Sequence, residues 1–220
     1  DQLNITLLKL RSMNIGTVDD AKSKIKYLIK NKGSGIVIKQ DNNPAKRVYP
    51  EVKYYINLIT CSCYDPFLFE IACVFKKFIY SIGEDGKNDI DITKINKLII
   101  PYDSNFRLAY KLSELLRIPF VLMRSSDDGR ITVGEPWDGN ISHDDEAIII
   151  HDVLVSGDQI KKSIVKIINI YPTYEIKGIF CLINRREKHG KQDLEATDYK
   201  VFSLLDINDE EIERMQEDIQ

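Results

Sequence analysis

From Lys97 onward, short apolar runs alternate with amphipathic stretches, and this alternation restricts the fold more than any other feature of the chain. The apolar runs have the length of β-strands, and the stretches between them have helical periodicity. Successive strands can lie parallel only if a crossover segment, usually a helix, joins them. We therefore predict an α/β fold with a parallel sheet flanked by helices. The predicted strands are 97–101, 120–123, 147–150, 176–183 and 200–203, and the predicted helices are 106–116, 160–171 and an acidic C-terminal helix.

A smaller unit precedes this α/β core. It is predicted to contain a helix and two short strands, and another helix opens at Asp65, which we expect to be the N-cap before Pro66. No linker is long enough to divide the chain. We expect one domain over 1–220, with a small N-terminal portion at about 1–60 and the α/β core at about 65–205. The elements predicted in the N-terminal portion are a helix at 18–30 and strands at 36–38 and 54–60.

Charge and hydropathy exclude several classes of function. Lys and Arg number 31 against 34 Asp and Glu, a net charge of -3, so we do not expect direct binding to nucleic acid. No apolar run approaches the roughly 18 residues of a membrane span, and the first residues lack the pattern of a signal peptide. We expect a soluble cytoplasmic protein with no membrane partner. The four cysteines lack the spacing of a zinc site and are expected to be reduced thiols in or near the core.

The segment 147–159 carries the clearest chemical signal. A buried strand runs through Asp152 into a loop with Ser156 and Gly157, and a helix follows. Backbone amides at a helix N-terminus attract anions, and a glycine lets a ligand approach the backbone closely. Ligands of open α/β sheets bind at the carboxyl ends of strands, where Asp152 lies. A carboxylate there can accept hydrogen bonds from two hydroxyl groups or help to position a divalent cation. The pattern predicts a phosphate site beside a hydroxyl-binding acid.

This segment resembles the 5-phospho-α-D-ribosyl 1-diphosphate (PRPP) signature of the type I phosphoribosyltransferases, and 11 of its 13 positions fit. His151 replaces the first acid of that signature, and Gln159 replaces its final hydroxyl residue. Three further segments, in the right order, are similar to orotate phosphoribosyltransferases. They are Lys53-Tyr54-Tyr55-Ile56-Asn57 followed by Asp65-Pro66, Ile118 to Arg124, and Val201 to Leu205 before the acidic helix. The resemblance implies the type I phosphoribosyltransferase-like fold, in which the N-terminal portion forms a hood.

The resemblance also implies a reaction. A ring nitrogen of a nucleobase such as orotate displaces magnesium-bound pyrophosphate from the anomeric carbon of PRPP, and the protein is a cytoplasmic glycosyltransferase that forms a homodimer. Each part of the ligand then has its candidate residues. The 5′-phosphate is held by Val155, Ser156, Gly157, Asp158 and Gln159, and the ribose hydroxyls are held by Asp152 with His151; Asp152 also contacts Mg²⁺. Pyrophosphate is bound by Arg124 and Arg130 and by a turn that comprises Tyr102, Asp103, Ser104 and Asn105. The base pocket is lined by Lys53, Tyr54 and Tyr55, and the segment 124–145 forms a lid.

Several departures from the family favour a second function. The lid lacks the lysines of the orotate enzymes and carries Asp127 and Asp128 instead, and acidic groups repel a diphosphate. The pyrophosphate turn lacks glycines, and His151 removes one acid from the ribose site. The alternative is a binding protein that has lost transfer. It would be a nucleotide sensor or an accessory subunit of a larger assembly, such as a phage-defence system.

Some residues allow two interpretations at this stage. His151 is either a ligand contact or a partly buried histidine satisfied by the backbone. The segment 184–188 is a solvated turn, or its adjacent arginines contact a partner chain. The run 144–146 is a solvated loop end rather than a metal cluster, and Trp137 anchors the lid or contacts a partner. His143 and His189 are expected at the surface.

Overall fold

The structure is a computed structural model, which describes residues 2–31, 36–43, 49–59, 63, 65–84, 88, 90–102, 104–124 and 137–217. Seven helices and eight strands lie in this part of the chain. The helices are α1 (Gln2–Ser12), α2 (Val18–Lys30), α3 (Asp65–Glu84), α4 (Phe106–Leu116), α5 (Asp158–Ile170), α6 (Gly190–Glu195) and α7 (Asp209–Glu217). The strands are β1 (Val37–Lys39), β2 (Tyr54–Ile56), β3 (Lys97–Ile100), β4 (Phe120–Met123), β5 (Trp137–Asp138), β6 (Glu146–Leu154), β7 (Glu175–Arg185) and β8 (Val201–Ile207).

Six strands form the central sheet in the order β5-β4-β3-β6-β7-β8. Only β5 runs antiparallel to its neighbour, and the remaining pairs are parallel. The predicted α/β fold is therefore confirmed. From β3 the chain continues to β4 on one side, whereas β6 begins the other half of the sheet. The carboxyl ends of β3 and β6 thus flank the point where the strand order reverses, which is where open α/β sheets form their binding crevice.

The central strand β6 is buried on both faces, and its side chains divide the core into two clusters. Ile148 and Ile150 belong to the larger cluster, with apolar residues of α2, α3 and α4. Ala147 and Ile149 belong to the smaller cluster on the opposite face, together with apolar side chains of α5, α6 and the neighbouring strands. Burial on both faces explains why β6 reads as a continuous apolar run instead of an alternating one. It also fixes the position of the polar residues that follow this run.

The N-terminal portion contains a separate two-stranded sheet, in which β1 pairs antiparallel with β2. Helix α2 begins with a capping box, because the Thr17 side chain accepts from the Asp20 amide and the Asp20 carboxylate accepts from the Thr17 amide. The helix buries one face, which includes Ile25, Leu28 and Ile29. No helix of the described residues is long and apolar enough to cross a membrane.

Several predicted boundaries agree with the structure, and others differ. The predictions for α2, α4 and β4 have the observed bounds. The strand predicted at 147–150 extends to Leu154, so His151 and Asp152 belong to β6 itself and not to the loop after it. Helix α3 begins at Asp65, one residue before the predicted start. Neither α1, α6 nor β5 was expected, because each is short or has a weak hydrophobic pattern.

The cysteine prediction is only partly right. Cys181 is buried in the core and Cys73 is half-buried, but Cys63 is exposed; all three are free thiols, and Cys61 lies outside the described residues. Burial raises the pKa of the Cys181 thiol, and burial likewise raises that of Cys73. Since the thiolate is the nucleophile, these two groups are protected from alkylation.

We expect iodoacetamide at pH 8 to modify Cys63 at least about tenfold faster than Cys181, because Cys63 is exposed, whereas burial both blocks access to the Cys181 thiol and raises its pKa. Peptide mass spectrometry of samples quenched at intervals measures both rates in one reaction. Addition of urea should remove the difference, and equal rates in the folded protein would contradict the placement of Cys181 on β7.

Candidate functional site

The segment between β6 and α5 forms a tight phosphate-type loop. β6 ends at Leu154, the loop comprises Val155, Ser156 and Gly157, and α5 begins at Asp158. Gly157 is the N-cap of α5 and has φ of 73°, a left-handed conformation that glycine adopts without strain. The amides of the first turn of α5 have no partners within the helix, so this end carries partial positive charge. The loop can therefore receive an anion.

The helix α6 supports this loop from behind. The amide of Gly190 donates to the carbonyl of Val155 over 3.2 Å. A Cβ atom on Gly190 would lie 2.4 Å from that carbonyl oxygen and 2.7 Å from the carbonyl carbon of Ser156. The Leu194 side chain, fully buried, lies against Gly157. Gly190 was missed at the sequence level, and its position after His189 in a charged segment gave no indication of this contact.

Two adjoining cavities open in front of the loop. The larger, about 150 Å³, is lined by residues 153–160 with His151 and Tyr49. The smaller, about 30 Å³, lies between Asp152 on β6 and the hood residues 55–59. Both cavities share Tyr49 and His151, so they are two parts of one cleft with the phosphate-type loop on one wall and the hood on the other.

His151 and Asp152 lie side by side at the back of this cleft. The His151 residue is 7% exposed, and its Nδ1 atom lies 3.6 Å from Oδ1 of Asp152. The side chain of Asp152 is 12% exposed and lines the smaller cavity. A carboxylate accepts hydrogen bonds and an imidazole can donate or accept one, so the pair can bind neighbouring hydroxyl groups. The structure thus places His151 in the cleft wall, as its ligand-contact interpretation requires.

The predicted base-pocket residues have different environments. Tyr54 is buried and its hydroxyl donates to Oε1 of Glu213 over 3.1 Å; burial and then this hydrogen bond raise the pKa of the phenol. Tyr55 lines the smaller cavity, and its ring lies 6.0 Å from that of Tyr49. Lys53 Nζ lies 3.9 Å from Glu213, and its side chain is not part of either cavity wall described here. Of the three, Tyr55 alone contributes to the cleft.

The pyrophosphate turn is tied to β6 and α4. Ser104 is buried, and its hydroxyl donates to the carbonyl of Ile150 over 3.4 Å. Asn105 is the N-cap of α4 and accepts from the Leu108 amide over 3.2 Å, while its buried Nδ2 has no hydrogen-bond partner among the described residues. Tyr102 is 60% exposed and Asp103 lies outside the described residues. The described residues of the turn, 102, 104 and 105, therefore lie beside the crevice and line neither cavity.

Arg124, the first residue of the predicted lid, is paired with Asp138. Its Nε donates to Oδ1 of Asp138 over 3.0 Å, and a second guanidinium nitrogen contacts the same oxygen. The Arg124 side chain holds the pKa of Asp138 below its usual range, and its own pKa is raised by this pair. Trp137 is buried, 6.2 Å from the ring of Tyr171, as a lid anchor would be. Arg130 and the rest of 125–136 lie outside the described residues.

The acidic run 144–146 does not form a metal site. In the part of the chain that is described, no three His, Cys, Asp or Glu side chains are placed to hold a metal ion together. Asp145 is buried, which contradicts the expected solvated loop end at this position. Its carboxylate accepts from the Ser142 amide over 2.8 Å and lies 3.5 Å from Lys97 Nζ, so it closes a turn. His143 and His189 are exposed, as expected.

The solvated turn predicted at 184–188 is wrong for its first two residues. Asn184 is 2% exposed and Arg185 is 1% exposed, because β7 continues to Arg185. The guanidinium of Arg185 forms ion pairs with Glu187 and Asp209, and Asp209 is too distant in sequence for the pattern to reveal. Arg186 is exposed and pairs with Glu211.

Comparison with known proteins assigns the fold. No family model matches the chain. A hypoxanthine/guanine phosphoribosyltransferase of Methanocaldococcus infernus is 27% identical over 175 residues, which cover 72% of this chain and 86% of that protein.

Solved phosphoribosyltransferase structures are similar to this chain in fold. UMP synthase of Leishmania donovani superposes with a TM-score of 0.62 at 16% identity, over 93% of this chain but only 39% of its own. Orotate phosphoribosyltransferase of Aeropyrum pernix has a TM-score of 0.61 at 16% identity, with coverages of 84% and 93%. The Mycobacterium tuberculosis orotate enzyme in complex with PRPP has 0.57 at 10% identity, with 84% and 96%. The chain has the type I phosphoribosyltransferase fold. Orotate phosphoribosyltransferases are among its structural relatives, which confirms the resemblance seen in the sequence.

Proposed function

We propose that this protein binds PRPP in the cleft between β6 and the hood and transfers its phosphoribosyl group to a nucleobase. The observation that carries the proposal is the joint placement of the phosphate-type loop, Asp152 and Tyr55 around one cleft. The loop accounts for a phosphate, the acid for ribose hydroxyls, and the hood for a planar base. A structural relative in complex with PRPP supports the choice of ligand.

In this proposal the chain acts mainly by positioning. The amides after Gly157 hold the 5′-phosphate at the N-terminus of α5, and Gly157 leaves room for it. Asp152 accepts from the ribose hydroxyls, with His151 beside it. The transition state develops positive charge on the ribose ring, so a nearby carboxylate also stabilises it electrostatically. A base under Tyr55 is then aligned with the anomeric carbon, which lowers the entropic cost of the encounter.

The donor set of the cleft fits Mg²⁺ that arrives with the diphosphate. Magnesium keeps several waters and is usually bound through one or two carboxylates together with substrate phosphates. Asp152 on the wall of the smaller cavity could supply such a carboxylate. Bound there, the ion would neutralise charge on the departing pyrophosphate. We propose it as the cofactor on this basis.

The acceptor base is proposed by class only. The relative that is similar in sequence is a hypoxanthine/guanine enzyme, whereas the structural relatives include orotate enzymes. The wall opposite Asp152 contains Tyr55 and Asn57, and the side-chain oxygen of Asn57 accepts from the Ile59 amide over 3.0 Å. An aromatic ring stacks on either type of base, and an amide can pair with ring carbonyl and N–H groups of either type. Both classes are therefore candidates.

A second candidate function is nucleotide binding without transfer. It is favoured by the engagement of Arg124 with Asp138, since that guanidinium is the described candidate for pyrophosphate. The presence of His151 where the family signature has an acid also favours binding without transfer. Such a protein would be a sensor or an accessory subunit in a larger assembly. A homodimer, which the resemblance implies, is compatible with both functions and can be measured by analytical ultracentrifugation.

Isothermal titration with PRPP, with and without Mg²⁺, tests the proposal. We expect binding in the micromolar range that strengthens with Mg²⁺, because the ion screens the diphosphate from acidic groups. Pyrophosphate release is then measured against orotate, uracil, adenine, hypoxanthine and guanine. Release with one of these bases establishes transfer and identifies the acceptor. Binding of PRPP without release supports the second candidate, and the absence of PRPP binding contradicts the first.

A further inference from the structure

A guanidinium is buried at the carboxyl end of β7, behind the hood. Arg185 is 1% exposed, which is rare for a charged side chain unless it is paired with an opposite charge. It forms ion pairs of 2.7 Å with Oε1 of Glu187 and 2.6 Å with Oδ1 of Asp209. It also donates to the main-chain carbonyl of Tyr54 in β2. The charge is thus compensated, and one of its contacts is a backbone atom of the hood.

Asp209 completes a clamp on the same segment of the hood. Its Oδ2 accepts from the amide of Lys53 over 2.7 Å, and its Oδ1 accepts from the amide of Tyr54 over 3.1 Å. The Asp209 amide in turn donates to Glu187 over 2.8 Å. The backbone of β2 is therefore bound on both its donor and acceptor groups by a charged pair from β7 and α7. None of these bonds depends on the identity of the side chains at 53 and 54.

The side chains of Tyr54 and Ile56 are buried in the larger core cluster, but the backbone pairing of the hood strand is short. β2 comprises three residues, and within the described chain its strand partner is the equally short β1. An isolated two-stranded pair of this length is not stable by itself. The residues directly after the clamped position, 55–57, line the smaller cavity opposite Asp152. A shift of β2 would consequently change the width of the cleft.

We propose that Arg185 and Asp209 are a positioning pair that sets the place of β2 above the cleft. Neither side chain lines the two cavities, so neither is a catalytic residue. As far as it concerns ligand affinity, this inference rests on the proposed function. Its effect should fall on ligands that extend under the hood. A ligand without a base should depend on it much less.

The test uses two variants, Arg185→Met and the conservative Asp209→Asn. Because asparagine has nearly the same volume as aspartate, the second variant keeps the test valid if the methionine variant folds poorly. Arg186→Met is the matched control, because Arg186 is the adjacent arginine and also pairs with α7 but is exposed. The first readout is amide hydrogen exchange of the peptide containing 53–57, which needs no ligand. The second is the affinity for PRPP compared with that for inosine and orotidine 5′-monophosphates, which carry a base.

We expect exchange at 53–57 to be at least about tenfold faster in the two site variants than in Arg186→Met, since hydrogen bonds to charged groups are lost. The affinity for the better monophosphate should fall about tenfold more than that for PRPP. If exchange at 53–57 is faster in the variants but the wild-type protein binds none of these ligands, the clamp is upheld and only the proposed function is refuted. Unchanged exchange in both variants, or equal losses for PRPP and the monophosphates, would overturn the positioning pair.

Discussion

Replacement of Asp152 by asparagine is expected to weaken PRPP binding by about 10- to 100-fold, because hydrogen bonds to a charged group contribute about 1.5–3 kcal/mol each. The side chain is 12% exposed and lines the cavity opposite the hood, so water cannot fully replace the lost interaction. The amide has almost the same volume as the carboxylate, but it offers one acceptor oxygen instead of two. The fall in pyrophosphate release should be at least as large, since the negative charge also stabilises the transition state.

Isothermal titration and the release assay measure the two effects separately. Asp19→Asn is a suitable control, because that carboxylate is 91% exposed on α2 and should leave binding unchanged. Thermal unfolding of both variants would show whether the fold is retained. Full PRPP affinity and full turnover in the Asp152→Asn variant would contradict the role of this acid in ribose binding.

The second large effect is expected from Gly190→Ala, although residue 190 makes no contact with either cavity. The added Cβ would lie 2.4 Å from the carbonyl oxygen of Val155 and 2.7 Å from the carbonyl carbon of Ser156, and both of these atoms belong to the backbone, so no side chain can move aside. Relief requires a displacement of the phosphate-type loop or of α6. We expect a loss of about 1–3 kcal/mol in the free energy of unfolding, as for other overpacked sites. The affinity for PRPP should fall by about tenfold or more, because displaced amides no longer converge on the phosphate.

Gly178→Ala separates the effect on the loop from the effect on stability. Its Cβ would lie 2.9 Å from Cδ1 of Ile90 and 3.2 Å from Cε2 of Phe202, so it also crowds the protein, but against side chains that can shift and at the opposite end of β7. Urea denaturation and titration with PRPP should show destabilisation in both variants and weaker binding in Gly190→Ala alone. Equal binding by the two variants would mean that α6 does not determine the shape of the loop.

The sequence predicted those elements that local patterns determine. The continuous apolar run of β6 and the spacing in α4 were sufficient to locate both, and the glycine-containing turn before α5 indicated an anion site. Asp152 and Ser156 were assigned to the cleft because the last residues of a parallel strand, and the loop that follows it, lie at the carboxyl edge of the sheet. Tyr55 was one of three base-pocket candidates that the resemblance implied, and the alternation of side chains along β2 accounts for the burial of its neighbour Tyr54.

Contacts between distant segments could not be predicted in this way. The distant partners of Arg185 are Tyr54 and Asp209, and only the folded chain brings these positions together. The same holds for the approach of Gly190 to Val155. A charged, turn-like stretch suggested solvent at 184–188, whereas paired acids allow a guanidinium to be buried there. Charged residues are exposed on average, so a charged stretch predicts exposure. A charge that is paired with buried acids is an exception to this average.

The connection from the end of β7 into α6 has a consequence for how the cleft responds to its contents. Its first residue, Arg185, holds the hood strand, and Gly190, only a few positions later, abuts the phosphate-type loop. Opposite walls of the cleft therefore share a single mechanical support. A displacement of that support would move both walls together, so we expect occupancy at one wall to be linked to occupancy at the other. Because such linkage is reciprocal, whatever ligand enters first sets the affinity for the second by the same factor as in the reverse order.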